Sequence, residues 1–106
     1  MAYELYSWQN SSGTWDFCLL YNTSSQKTVK EVFNRKITLQ GVEKLKNRIS
    51  ELPAGASIFW VDRLPAGTGP KAKGSESLKY PPAEIVSDVK RFSEAHHIDI
   101  FDQASQ

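Results

Sequence analysis

Two apolar segments near the amino terminus flank a short polar stretch. Residues 3–9 and 14–21 have strand-like composition and hold half of the chain's aromatic side chains. The stretch between them is typical of a glycine-closed turn and consists of Asn10, Ser11, Ser12 and Gly13. In the second segment every other residue is large and apolar, which makes that side the expected core face. The pattern predicts an antiparallel β-hairpin.

Helical spacing follows in the middle and near the end of the chain. Thr38 is the expected N-cap of a helix that contains Gly41 in its first turn and ends before Pro53. Its apolar stripe is Leu39, Val42, Leu45, Ile49 and Leu52. A second helix is expected to open at Pro82 and end near His97, with Ile85, Val89 and Phe92 on its buried side. Residues 28–34 are predicted to contain a short capped helix, but their β-branched members would suit a strand equally well.

Two more short strands complete the predicted fold. Residues 57–61 form a continuous apolar run, and residues 98–101 combine apolar with acidic positions. We therefore predict an α+β fold, a two-layer sandwich in which a small mixed sheet is covered by two helices. The sheet contains the antiparallel hairpin and the two short strands, which are expected to be parallel neighbours. All 106 residues are expected to form one domain with a flexible loop at 62–79.

Composition narrows the function without naming it. Thirteen basic and twelve acidic residues give a net charge of +1, far from the footprint of a dedicated nucleic-acid binder. The single cysteine, Cys18, excludes an intramolecular disulfide and favours a reducing compartment. Because the chain also shows neither a secretory signal nor an apolar run long enough to span a bilayer, we expect a soluble, cytoplasmic protein.

The loop at 62–79 carries the only resemblance to a ligand-binding motif. Residues 69–75 begin like a phosphate loop, but Ser75 stands where that motif needs a lysine, and the helix starts too late. His96 and His97 point in different directions on a helix, so a shared metal ion is not expected. We predict no cofactor and no metal site.

Cys18, Glu84 and Asp88 also have structural explanations. Cys18 has apolar neighbours in a strand and is expected to be buried and unreactive. Glu84 and Asp88 lie one helical turn apart on a solvent-facing surface, where Arg91 is a natural partner for Asp88. No residue is assigned a catalytic role.

The aromatic side chains point to a binding protein. Trp15, Phe17, Phe59 and Trp60 are expected in the core, and some of the remaining aromatics of the hairpin are then expected to be exposed. We predict a non-catalytic protein-interaction module of the adaptor or inhibitor type. Its predicted partner-binding residues are Tyr6, Trp8, Tyr21, Arg63, Lys71 and Lys73.

Two alternatives and one further possibility remain open at this point. An anion or single-stranded nucleic-acid binding domain would use a basic helix face and the loop, with Lys44, Arg48, Lys71, Lys73 and Lys79. A small enzyme would have His96, Cys18 and Asp62 as the first residues to test. An exposed aromatic strand would also allow a homodimer.

Overall fold

The strands of the protein form one mixed sheet, seen in a computed structural model that describes residues 2–10, 12–21, 32, 34–61 and 81–102. The elements are β1 (Ala2–Gln9), β2 (Trp15–Tyr21), β3 (Leu39–Gln40), α1 (Val42–Ser50), β4 (Ser57–Val61), α2 (Ala83–Ala95) and β5 (Asp99–Asp102). Strand order is β3-β2-β1-β4-β5. The hairpin partners β1 and β2 are antiparallel, β3 is antiparallel to β2, and β4 is parallel to both β1 and β5. The predicted two-layer α+β arrangement is confirmed.

Asn10 organises the turn that joins β1 to β2. Its side-chain Oδ1 accepts hydrogen bonds from the backbone N–H of Ser12 at 2.9 Å and of Thr14 at 3.2 Å. The N–H of Gly13 donates to the backbone oxygen of Asn10 at 3.0 Å, and Gly13 has a φ of 88°, a conformation that favours glycine. The turn therefore has the glycine-closed form that the sequence predicts.

One face of the sheet, here called the helix face, packs against α1 and α2. Side chains alternate between faces along a strand, so that Leu5 and Phe17 lie on this face and are fully buried. Trp60 is buried beside them, and its indole Nε1–H donates to the Ser7 hydroxyl at 3.0 Å. The helices contribute Leu45, Ile49, Val86 and Val89. These side chains form the larger of two apolar cores.

The opposite face of the sheet, here called the second face, is also covered around β1 and β2. Tyr6, Trp8 and Cys18 project from this face and are buried together with Val32. Val32 has helical conformation. Of the predicted helix at 28–34, only Val32 and Asn34 belong to the described residues. The predicted loop at 62–79 lies outside them. A second, smaller apolar core thus lies on the side away from α1 and α2.

The predicted start of the first helix at Thr38 is wrong. Leu39 and Gln40 form β3 and pair with β2, and the helix begins only at Val42. Gly41 is its N-cap, with a φ of 95°, and donates its N–H to the Trp15 carbonyl at 2.9 Å. A residue with positive φ cannot continue a right-handed helix, so the chain changes from strand to helix at this glycine.

The carboxyl end of α2 is closed by a Schellman motif. His96 is the C-cap, and His97 follows with a φ of 61°. The N–H of Ile98 donates to the Ser93 carbonyl at 2.9 Å, and the N–H of His97 donates to the Glu94 carbonyl at 3.0 Å. His97 therefore occupies the left-handed position that glycine fills in most such motifs.

We expect His97→Gly to stabilise the protein. Glycine adopts a positive φ without the steric cost of a Cβ, a gain that the greater freedom of glycine in the unfolded chain partly offsets. The free energy of unfolding, measured by denaturant titration, should rise by up to about 1 kcal/mol. His97→Ala retains the Cβ and serves as the control. An equal gain in both variants would show that backbone strain at this position is not the cause.

Candidate functional site

Of the three aromatic residues that the sequence assigned to partner binding, two are buried and one is exposed. Tyr6 and Trp8 are 2% and 5% exposed, so the expectation that they lie on an exposed surface of the hairpin is corrected. They are covered because Val32, Leu20 and Val61 pack against them on the second face. Tyr21, at the end of β2, is 52% exposed and meets the Tyr3 ring edge-on, with the ring centroids 5.5 Å apart.

The basic residues assigned to binding are only partly described. Lys44 is exposed on α1, and one turn later Arg48 lies with its Nη1 3.5 Å from Glu51 Oε1. Arg63, Lys71, Lys73 and Lys79 lie outside the described residues, and their proposed roles stay predictions. The described part of the basic helix face is therefore one exposed lysine beside an ion pair.

Lys46, on the same helix, serves to join the two helices. Its Nζ lies 2.7 Å from Asp88 Oδ2 of α2, and 5.8 Å from the centroid of the Phe92 ring. The sequence suggested Arg91 as the partner of Asp88. In the structure Asp88 is instead paired with Lys46 across the helix interface. Both contacts of Lys46 therefore connect α1 to α2 at the surface of the helix layer.

Two of the three first candidates for catalysis, Cys18 and His96, lie on different faces of the sheet. Cys18 is fully buried on the second face, whereas His96 follows α2, which packs on the helix face. His96 is held by its own helix end, with Nδ1 3.0 Å from the Phe92 carbonyl oxygen and its ring against the Phe92 ring. Asp62 lies outside the described residues. Within the described ranges no cluster of three or more histidine, cysteine, aspartate or glutamate side chains is placed to hold a metal ion.

A pair of phenylalanines forms an exposed aromatic surface at the opposite end of the sheet from β3. Phe59 of β4 and Phe101 of β5 are cross-strand partners on the second face. Their rings stack with centroids 5.2 Å apart and planes inclined by 21°. Phe101 is 43% exposed and Phe59 is half-buried. We call these two residues the outer aromatic pair.

Negative charge accompanies this aromatic surface. The five strands contain four carboxylates, Glu4, Asp16, Asp99 and Asp102, and no lysine or arginine. Asp99 is exposed and belongs to the same face as Phe101, because the two residues lie two positions apart in β5. The lysines and arginines of the described residues all lie on the helices or in the turn at 34–37. A ligand that approaches the outer aromatic pair therefore meets a carboxylate.

Sequence reasoning placed Phe59 in the core and did not single out Phe101. The available signal was the pattern of β5 itself. In the run Asp99, Ile100, Phe101 and Asp102, adjacent apolar residues of a strand must lie on opposite faces. Either Ile100 or Phe101 thus had to leave the helix face.

Comparison with known proteins gives no further guide to function. No family model, no curated protein and no solved structure matches this chain. In the described part of the chain, neither helix has the length and apolar character needed to cross a bilayer.

We expect Cys18 to be inert in the folded protein. Burial raises the pKa of the Cys18 thiol from its ordinary 9.0 to about 12 because the thiolate would be desolvated. At pH about 8 a disulfide reagent such as Ellman's reagent should titrate one thiol in denaturant and none within minutes in buffer. Equal labelling rates in the two conditions would contradict this assignment.

The same shift predicts how stability depends on pH. Above pH about 9 the unfolded chain loses the Cys18 proton while the folded chain keeps it, so that stability falls until the folded pKa is passed. Relative to Cys18→Ala, the free energy of unfolding of the native sequence should fall by roughly 1.4 kcal/mol per pH unit in this range. Parallel pH profiles for the two proteins would refute a raised pKa.

Proposed function

We propose that this chain is a non-catalytic protein-interaction module that binds its partner through the outer aromatic pair. The observation that carries the proposal is the stacked Phe59 and Phe101 at the edge of the sheet, with Phe101 43% exposed. Aromatic side chains dominate the energetics of protein interfaces because they bury a large area at a small cost in conformational entropy. A rigid, stacked pair loses still less freedom on binding than two separate rings would lose.

The charge around the pair supports a protein partner over a nucleic acid. Asp99 is exposed beside Phe101, and no base accompanies it on the described strands. Stacking platforms for single-stranded nucleic acids combine aromatic rings with cations that neutralise phosphates. A carboxylate in that position would repel the phosphate backbone, whereas it would attract the lysines and arginines of a protein.

The buried thiol is in keeping with the proposal. Cys18 remains protonated in the core and does not support a nucleophilic role. A lone, reduced cysteine is also usual for proteins of the cytoplasm, and we include that location in the proposal. Tyr21, exposed at the end of β2, is a second contact position carried over from the sequence analysis.

Replacement of Phe101 by serine is expected to abolish most partner binding. Loss of an aromatic anchor costs about 2 kcal/mol or more, which corresponds to roughly a thirtyfold loss of affinity. The partner is first captured in cells of the native host by the photoreactive analogue p-benzoylphenylalanine incorporated in place of Phe101. Its affinity for the purified native protein and for Phe101→Ser is then measured by calorimetry.

Ile37→Ser is the matched control for this experiment. Ile37 is 42% exposed, close to the exposure of Phe101, but lies in a turn away from β5. The Ile37→Ser substitution removes an apolar side chain that is about as exposed as that of Phe101. It should leave the affinity for the partner within about twofold of the native value. Equal affinities of the native protein and Phe101→Ser, or photocapture of RNA or DNA at position 101, would refute the proposed surface.

A further inference from the structure

Among the described strands, none pairs with the outer edge of β5, which lies next to the outer aromatic pair. In the described sheet β5 is an outermost strand and pairs with β4 alone. The N–H of Asp99 donates to the Ala56 carbonyl at 3.1 Å, on the side of β4. Successive residues of a strand direct their backbone groups to opposite edges, so the N–H and C=O of Ile100 point away from the sheet. These two groups can pair with a further strand.

A strand added at this edge would place its side chains in a defined order. Residues directly opposite each other share one face of a sheet, with Cβ atoms about 5 Å apart. The residues opposite Asp99 and Phe101 would lie on the second face, and the residue opposite Ile100 would lie on the helix face. A lysine or arginine opposite Asp99 would pair with its carboxylate, and an apolar residue opposite Phe101 would pack against its ring.

We propose that β5 binds, by strand addition, an extended segment of a partner protein in which a lysine or arginine lies two positions from an apolar residue. The inference rests on the proposed function and specifies the binding mode of the same surface. Charge complementarity selects the partner, because Asp99 is exposed and the described strands carry no lysine or arginine. The main-chain hydrogen bonds provide affinity, and the two side-chain positions provide specificity.

A second copy of β5 is a poorer match than a basic segment. The sequence of β5 contains two aspartates and no base, so a second β5 offers no cation to either Asp99. Charged residues on short edge strands are a known means of preventing two copies of a sheet from pairing. The same carboxylates that disfavour self-pairing would attract a basic strand, which makes the edge selective.

The first test is a selection of random decapeptides displayed on yeast, with the full chain as bait. We expect enriched peptides to contain a lysine or arginine two positions from an apolar residue. Asp99→Lys should weaken the selected peptides at least about tenfold, and selection with that variant should enrich aspartate or glutamate instead. The inference would be overturned if no peptide were enriched or if the enriched peptides lacked lysine and arginine. It would also be overturned if the selected peptides bound Asp99→Lys as tightly as the native protein.

The second test uses the backbone of Ile100. Proline at this position removes the outward N–H while the backbone groups of Asp99 and Phe101 remain available to β4. Binding of the selected peptide should be lost in Ile100→Pro and retained in the matched control Ile100→Val, which keeps the N–H.

Should Ile100→Pro fail to fold, amide hydrogen exchange of the native protein tests strand addition without a substitution. The exchange of the Ile100 N–H should slow at least about tenfold when the peptide is added, and unchanged exchange would refute strand addition.

Failure of this inference can be separated from failure of the proposed function. A protein partner that depends on Phe101 but binds Ile100→Pro as well as Ile100→Val would leave the interaction module standing and exclude strand addition. Concentration-dependent self-association that is lost in Ile100→Pro, measured by sedimentation, would assign the edge to a second copy and overturn the inference.

Discussion

The central constraint on this protein is that strand β1 is buried on both of its faces. Leu5 and Ser7 are covered on the helix face, and Tyr6 and Trp8 on the second face. A strand in this position must have a neighbour on each edge and an apolar layer above and below, and the structure provides all four. The buried hydroxyl of Ser7 is compatible with this position because it accepts the indole N–H of Trp60.

Burial at the centre determines where the molecule can make contacts. Both faces are closed around β1, so its own aromatic side chains are buried, and the exposed Tyr21 and Phe101 lie on β2 and β5. On the second face the exposure of aromatic side chains increases toward β5, since Tyr6 of β1 is buried, Phe59 of β4 is half-buried and Phe101 of β5 is exposed. The exposed Phe101 therefore lies on a strand whose outer edge has no neighbour among the described strands, and the two properties together support the proposed recognition of an extended chain.

The sequence was sufficient to predict most elements of the fold and insufficient for one junction. The hairpin and β4 have clear signals, an alternating pattern around a glycine turn and a short continuous apolar run. Before the start of α1, Leu39 fits the apolar stripe of a helix and also fits a strand opposite Phe17. Both conformations would place Leu39 against the same core, so its apolar character does not distinguish them. The decision depends on the positive φ of Gly41, which no periodicity reveals.

The proposed contact surface was harder to predict because it depends on how the strands pair. Sequence alone showed that the hairpin aromatics required either two covered faces or one exposed surface, and it gave no measure of what covers the second face. The cover around Tyr6 and Trp8 includes Val32 and Val61, which are distant in sequence from the hairpin. Phe101 is recognised as part of an aromatic surface only once Phe59 is known to be its cross-strand partner. Pairing of β5 with β4 thus creates the aromatic surface, and in the described sheet it leaves the other edge of β5 without a neighbouring strand.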